Sequence, residues 1–405
     1  MRKHRPDFVI ALLTFALLAA GLIIIYAIGA RVAQFENSQS GTNFSDNYFI
    51  LHHGLFVLAS IVMLVLGWLL PYKFWQKMSK TILIVSMVLC ALIPLLGKLP
   101  GSPLVTCDLG ACRSIRIPGL GFGFQAVEML KLGILLYLSG LIKKRKEQNL
   151  LGKKEFWVPV GALLLFTVIF VGWLQKDLGS TMVIFCMVLT LVFLAGVEIK
   201  QLGILLLGIV VVAGVMIVVE PHRIARLESF NGEGDSYHIE NSLIGMGTGG
   251  LFGVGLGNSI QSTGYLPEAL SDSIFSIVGE TWGFLGAMAV MVGYIVLARR
   301  ILSVSQKTQD VEQSLFVAGF FAWLLAHVII NVGGMTGLTP MKGITLPFLS
   351  YGGTSMFFMA LTMGIVLQIS GWTRREVSNE DSSSRWGKRR TRYASSSRRS
   401  WNLEN

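Results

Sequence analysis

Chemistry in this chain has to come from a small set of charged and polar side chains set in apolar surroundings. Asp272 stands at the end of Leu266-Pro267-Glu268-Ala269-Leu270-Ser271 and directly ahead of a long apolar run, with Glu280 two turns further in. A carboxylate half out of water at the mouth of a helix suits a general base, because burial raises its pKa. By position alone, Asp272 is first a helix cap. Glu128 and Lys131, three residues apart on one helical face, form either a structural ion pair or a polar cavity wall that touches substrate. Asp177, in the turn Gln175-Lys176-Asp177-Leu178-Gly179-Ser180-Thr181, either caps the next helix or faces a water-filled cavity.

Cations and backbone complete the candidate set. Arg223 and Arg226, three apart, can grip phosphate oxygens bidentately, or contact lipid headgroups or Glu228. Lys342 and Ser350 lie in a Gly/Pro-rich stretch, Pro340-Met341-Lys342-Gly343 and Pro347-Phe348-Leu349-Ser350-Tyr351-Gly352-Gly353. Non-helical backbone at membrane depth is tolerated only where protein or a watery cavity satisfies it, and Lys342 there offers a point charge to a phosphate or carboxylate. The glycine-rich run 241–261 can approach a ligand or lipid closely and cradle anions; its Gly253-Val254-Gly255-Leu256-Gly257-Asn258 lacks the dinucleotide-binding spacing. No local cluster of His, Cys, Asp and Glu marks a metal site, so a divalent cation, Mg or Mn, is optional. Cys107 and Cys112 either bridge, in an oxidising compartment, or stay as two thiols.

The elements that must position these residues are set by the bilayer. Of 405 residues 53% are hydrophobic and only 14% charged, well under the roughly 25% charge of a soluble chain. One soluble domain, or disorder over most of the length, is excluded. About 20 apolar residues cross the hydrocarbon layer, and the sequence predicts ten crossings, near 8–30, 51–70, 81–97, 120–142, 156–174, 178–197, 201–219, 274–298, 314–335 and 351–372. The uncharged stretch 241–267 is the ambiguous case. With ten spans and a cytoplasmic start, 25 of the 34 Lys and Arg residues lie inside and 8 outside; an eleventh crossing there would leave 14 inside and 19 outside. The ten-span, all-α reading therefore follows from the positive-inside rule, with both termini cytoplasmic and a large fourth extracytoplasmic loop at 220–272. The net charge of +11 is then mostly orientation bias plus a basic tail. Residues 1–373 form the membrane domain, and the Ser/Arg-rich 374–405 is expected to be disordered and drawn to the anionic inner leaflet. Docking of a partner or of nucleic acid is its alternative role.

Taken together, Lys176-Asp-Leu-Gly-Ser180, Gly249-Gly-Leu-Phe-Gly-Val-Gly-Leu-Gly-Asn-Ser259, Leu266-Pro-Glu-Ala269 with Asp272, and Leu346-Pro-Phe-Leu-Ser-Tyr-Gly-Gly-Thr-Ser355 carry a resemblance. The chain resembles the SEDS family of bacterial cell-wall polymerases, nearer the division branch, FtsW, than the elongation branch, RodA. The resemblance runs from Asp7 to about Trp372. It implies a multi-pass glycosyltransferase of the bacterial cytoplasmic membrane that polymerises lipid II at the outer face. It also implies a class B penicillin-binding transpeptidase and other division proteins as partners, and no nucleic acid. By that resemblance Asp272 is the essential carboxylate, while Asp177, Glu128, Lys131, Lys342 and Ser350 line the substrate cavity and Arg223 and Arg226 belong to a basic stretch beside it. Two departures stand out: Leu270-Ser271 and Ser273 flank Asp272 where the family often has His-Thr and Phe, and Gly110-Ala-Cys-Arg113-Ser-Ile-Arg116 replaces a usual Gly-Ala-Arg-Arg-Trp. Rival readings are a lipid II flippase, an elongation polymerase, or a non-catalytic scaffold for a transpeptidase.

Overall fold

Helices dominate because a backbone in lipid has to satisfy its polar groups within each crossing segment. The structure, a computed structural model, describes residues 5–97, 105–108, 111–116, 123–219, 237–339 and 343–373. Arg223, Arg226, Lys342 and the tail 374–405 lie outside the described residues. The chain divides into a unit Met1–Trp372 and a unit Thr373–Asn405, of which only Thr373 is described.

Among the described residues eleven α-helices follow in order. They are α1 (Phe8–Ser40), α2 (Tyr48–Leu69), α3 (Tyr72–Leu96), α4 (Ala126–Glu147), α5 (Lys154–Leu174), α6 (Leu178–Ala195), α7 (Ile199–Val218), α8 (Tyr237–Thr248), α9 (Ile274–Lys307), α10 (Val311–Met335) and α11 (Gly353–Ser370). Among the described residues nine of these, all but α4 and α8, are long and apolar enough to cross a membrane. At the fourth expected crossing, α4 has 22 residues but carries Glu128, Lys131 and the basic run Lys143–Lys146, which lower its apolarity below that standard. The ambiguous stretch forms no crossing helix. Its α8 ends at Thr248 after 12 residues, about 18 Å, and turns follow. The last eight residues of α5, Thr167–Leu174, widen into a π-helix.

Helix starts follow local chemistry. Asp7 caps α1 by accepting from Val9 N at 3.1 Å, and Asp310 caps α10 by accepting from Glu312 N and Gln313 N. Asp310 also pairs with Lys143 at 2.7 Å. Burial alone would raise the Asp310 carboxyl, but the Lys143 hydrogen bond and those two backbone donors outweigh it and hold the group below its ordinary value.

Burial orders the bundle. The crossing segment of α10 is 72% buried and that of α11 78%, whereas α7 is 6% buried and sits at the lipid-facing rim. The helices α2 and α11 meet through glycines at backbone distance. An added Cβ at Gly364 would lie 2.0 Å from Leu64 O, and one at Gly67 would lie 2.3 Å from Leu361 O. Small residues drive such approach in lipid, where apolar burial supplies little force between helices.

Between α3 and α4 the strands β1 (Val105–Asp108), β2 (Ala111–Arg116) and β3 (Gly123–Phe124) form an antiparallel sheet in that order. A Cys107–Cys112 disulfide joins β1 to β2, closing the question the sequence left open. From β2, the Arg113 guanidinium donates to Gln175 O at 3.1 Å and Lys176 O at 3.0 Å, which ties the sheet to the turn before α6.

Gly364→Ala should force α2 and α11 apart, at a cost of about 1–3 kcal/mol. Thermal unfolding in detergent would show a lowered midpoint, and an unchanged midpoint would contradict this packing.

Candidate active site

A single irregular segment, Gly343–Gly352, gathers the described candidate residues. Its backbone is satisfied mainly by side chains. Asn331 Nδ2 donates to Ile344 O at 2.7 Å, the His327 ring meets Thr345 O at 3.2 Å, and Leu346 N donates to Ser350 Oγ at 2.8 Å. Tyr294 OH donates to Pro347 O at 2.5 Å, and Tyr351 N donates to Leu270 O at 2.8 Å. The segment's bonds to itself run between Leu346 and Ser350, where Leu349 N and Ser350 N also donate to Leu346 O, and its carbonyls at Ile344, Thr345 and Pro347 are held from outside.

Asp272 lies on the turn that feeds α9, half-buried. The capping position of α9 is Ser273, not Asp272. That differs from the first reading by position. Ser273 Oγ faces backward to Pro267 O at 2.8 Å and takes part in a 2.9 Å hydrogen bond with His238 Nε2. The Asp272 carboxylate is turned toward the irregular segment: a Cβ added at Gly343 would stand 3.0 Å from Asp272 Oδ2. Its main chain is fixed from two sides, since Asn331 Nδ2 donates to Asp272 O at 2.7 Å and Ser350 Oγ donates to Ser271 O at 2.6 Å. Ser350 is thus a backbone clamp between the two segments and is buried.

Asp177 reaches the same place from α6. Its Oδ1 accepts from Ser180 N at 2.9 Å, so it caps the helix, and it is half-buried. Next to it, Gly179 presses against Ile344: an added Cβ would lie 2.6 Å from Ile344 Cγ1.

Glu128 and Lys131 stand behind the segment, both buried, with Lys131 Nζ 2.7 Å from Glu128 Oε1. Lys131 Nζ also meets His327 Nε2 at 3.2 Å and sits 5.8 Å from the Trp323 ring centroid, within cation–π range. Among the described residues Glu128 Oε2 has no hydrogen-bond partner. Glu280, the seventh residue of α9, is buried as well and organises the loop below. It accepts from Ser259 Oγ, Ile260 N and Gln261 N at 2.5, 2.7 and 3.2 Å, while Arg31 reaches across from α1 to Ser259 O at 2.9 Å.

Backbone strain falls on the segments that converge here. Among the described residues, the positive-φ positions other than glycine are Asn149, Lys176, Glu268 and Phe348, with φ of 52°, 53°, 52° and 64°. Three of these four immediately precede or lie within the Asp177 turn, the Asp272 turn and the irregular segment. Strain of this kind costs about 1–3 kcal/mol per residue and persists where surrounding structure enforces it.

His327 and Asn331 are structural participants that the charged-residue reading of the sequence passed over, and Arg113, met there only as a departure from the family pattern, is a third. The pair His327 and Asn331 had a legible signal, two polar residues one turn apart inside an apolar span. No group of three His, Cys, Asp or Glu side chains gathers among the described residues as a metal site would need. A solvent-reachable carboxylate beside irregular backbone, braced by buried polar groups, can accept a proton from a bound hydroxyl.

The profile of the FtsW/RodA/SpoVE cell cycle protein family matches residues 8–375. The probable peptidoglycan glycosyltransferase FtsW of Escherichia coli O6:H1 is 31% identical over 90% of this chain and 86% of its own length. The protein of the same name from Coxiella burnetii is 35% identical over 90% of this chain and 96% of its own. A solved chain from a peptidoglycan synthase complex, in a study of how polymerization and crosslinking are coordinated, superposes with a TM-score of 0.70 at 22% identity. It covers 92% of this chain and 99% of that one, so the folds agree.

Glu128→Leu should leave Lys131 buried without its counter-charge and cost about 3–5 kcal/mol, whereas Glu128→Leu with Lys131→Met should recover most of that loss. Thermal unfolding of the two variants checks this, and a double variant no more stable than the single one would contradict the pairing.

Proposed function

This chain belongs to the FtsW/RodA/SpoVE cell cycle protein family, and on that premise we propose that it is a peptidoglycan polymerase that joins lipid II units, with Asp272 as general base. The reading is supported above all by the half-buried Asp272 carboxylate turned toward Gly343, at the junction of α9 with the irregular segment.

Lipid anchors hold both substrates at the membrane surface, so much of the barrier falls through proximity, by several kcal/mol. Asp272 takes the proton of the acceptor's GlcNAc 4-hydroxyl as that oxygen attacks C1 of the donor's MurNAc. The new bond is O4–C1, the bond from C1 to the lipid pyrophosphate breaks, and the anomeric centre inverts. Negative charge grows on the departing pyrophosphate, and Lys342, Arg223 and Arg226 are the cations assigned to it. Asp177, capping α6 beside Ile344, lines the approach, while Glu128 and Lys131 brace the site from behind through His327. The optional Mg or Mn takes no step in this scheme.

Division rather than elongation is the role we assign, in keeping with the FtsW names of the relatives. A class B penicillin-binding transpeptidase is the assigned partner, and the synthase complex that contains the structural relative supports it. The reactive face is assigned to the outside of the cytoplasmic membrane, with both termini inside.

Purified chain with lipid II and its partner in detergent should make glycan polymer without a transmembrane gradient. Asp272→Asn should lower the rate by about 10²–10⁴-fold with the thermal unfolding midpoint unchanged. Undiminished polymer from Asp272→Asn would overturn the assignment. Translocation of lipid II by the variant, with no polymer from the unaltered chain, would point to a flippase.

A further inference from the structure

We propose that Asn331 and His327, one turn apart on α10, are positioning residues that lock the irregular segment Gly343–Leu346 against the Asp272 turn and so hold the Asp272 carboxylate in its working orientation. The proposal rests on the reading of Asp272 as the base.

Hydrogen-bond chemistry fixes how both side chains are used. Asn331 has two neighbours, Asp272 O at 2.7 Å and Ile344 O at 2.7 Å, and both are carbonyls that can only accept. The amide nitrogen must therefore face them, and both of its protons are spent on backbone from two segments 72 residues apart in sequence. Its Oδ1 is buried and has no hydrogen-bond partner among the described residues. Such a side chain, 2% exposed, makes no other bond within its own helix and acts as a cross-link between the two turns.

His327 is constrained in the same way from the other side. Thr345 O can only accept, so the ring donates from Nδ1; the Lys131 ammonium can only donate, so Nε2 is the acceptor. One tautomer satisfies both partners. A continuous path then runs Glu128 to Lys131 to His327 to Thr345 O, and one turn further along α10 Asn331 takes Ile344 O and Asp272 O. Two consecutive carbonyls of the irregular segment are thereby gripped by one helix face. This rationalises a fully buried lysine: its charge orients a histidine that orients backbone.

The consequence for catalysis is geometric. Gly343, next to Asp272 Oδ2, is bonded directly to Ile344, whose carbonyl Asn331 holds. Freeing that carbonyl lets Gly343 and the turn slide relative to each other, and a misplacement near 1 Å costs about 10²-fold in rate.

The test uses the full-length chain in lipid nanodiscs, with its partner for the rate measurements. Amide hydrogen exchange and steady-state polymerisation are followed in Asn331→Ala, His327→Leu, His327→Gln and Asp272→Asn. Asn331→Ala should speed exchange in peptides covering 268–275 and 343–349, but not in α2 or the body of α11. It should lower kcat about 100-fold with KM within about twofold. His327→Leu should lower kcat by about 10-fold, and His327→Gln, which keeps one donor toward Thr345 O and one acceptor toward Lys131, should restore most of it. Wild-type kcat in Asn331→Ala, or unchanged exchange in those two regions, would overturn the proposal. So would exchange raised throughout the protein, which would make Asn331 a general structural residue. An undiminished rate in Asp272→Asn would contradict the base reading alone, because the exchange result still decides the clamp.

Discussion

The structure depends on one constraint: irregular backbone held within a membrane bundle must find protein partners for its N–H and C=O groups. Gly343–Gly352 is that backbone here. Its carbonyls at Ile344 and Thr345 go to Asn331 and His327, its Leu346 N goes to Ser350, and Pro347 O goes to Tyr294. Asn331 and His327 belong to α10, Tyr294 to α9, and Ser350 to the segment itself, from which it also reaches Ser271 O, so the requirement to satisfy one segment dictates how α9, α10 and the Asp272 turn are docked. The buried Glu128–Lys131 pair becomes intelligible in this light, because its outward link is to His327. An ion pair with no such link would be poor evidence of stability, since desolvation offsets most of its attraction.

Much of this was legible before any coordinates. Membrane crossings demand length and apolarity, so nine of ten expected spans coincide with helices that meet that standard, and the charge distribution argued correctly that 241–267 is not a crossing helix. Glu128 with Lys131, Asp177 and Asp272 announced themselves because ionisable groups in apolar settings are costly. Boundaries were less readable. The first helix runs on to Ser40, where Gly41 in the left-handed region ends it, and the last begins at Gly353 rather than residue 351. Charge patterns do not encode such stops.

Asn331 and His327 were harder to see because they carry no charge and sit in an apolar run that reads as an ordinary crossing helix. Their partners are carbonyls, which every residue has, so the sequence gives no sign of which backbone they serve. Ser350 is similar: the sequence placed it in a broken helix entry, and its role as a clamp between Ser271 O and Leu346 N depends on a contact 79 residues distant. Asp272 illustrates the opposite error. The rule that acidic residues cap helices assigned it to α9, but Ser273 holds that position, and the carboxylate faces Gly343 instead.

The central claim is that Asp272 meets the acceptor sugar. The most direct measurement is an experimental map of the full-length chain bound to an unreactive lipid II analogue. The account expects an Asp272 carboxylate oxygen within about 2.6–3.2 Å of the acceptor's 4-hydroxyl. An acceptor sugar seated elsewhere in the protein, with Asp272 out of reach of it, would contradict the account.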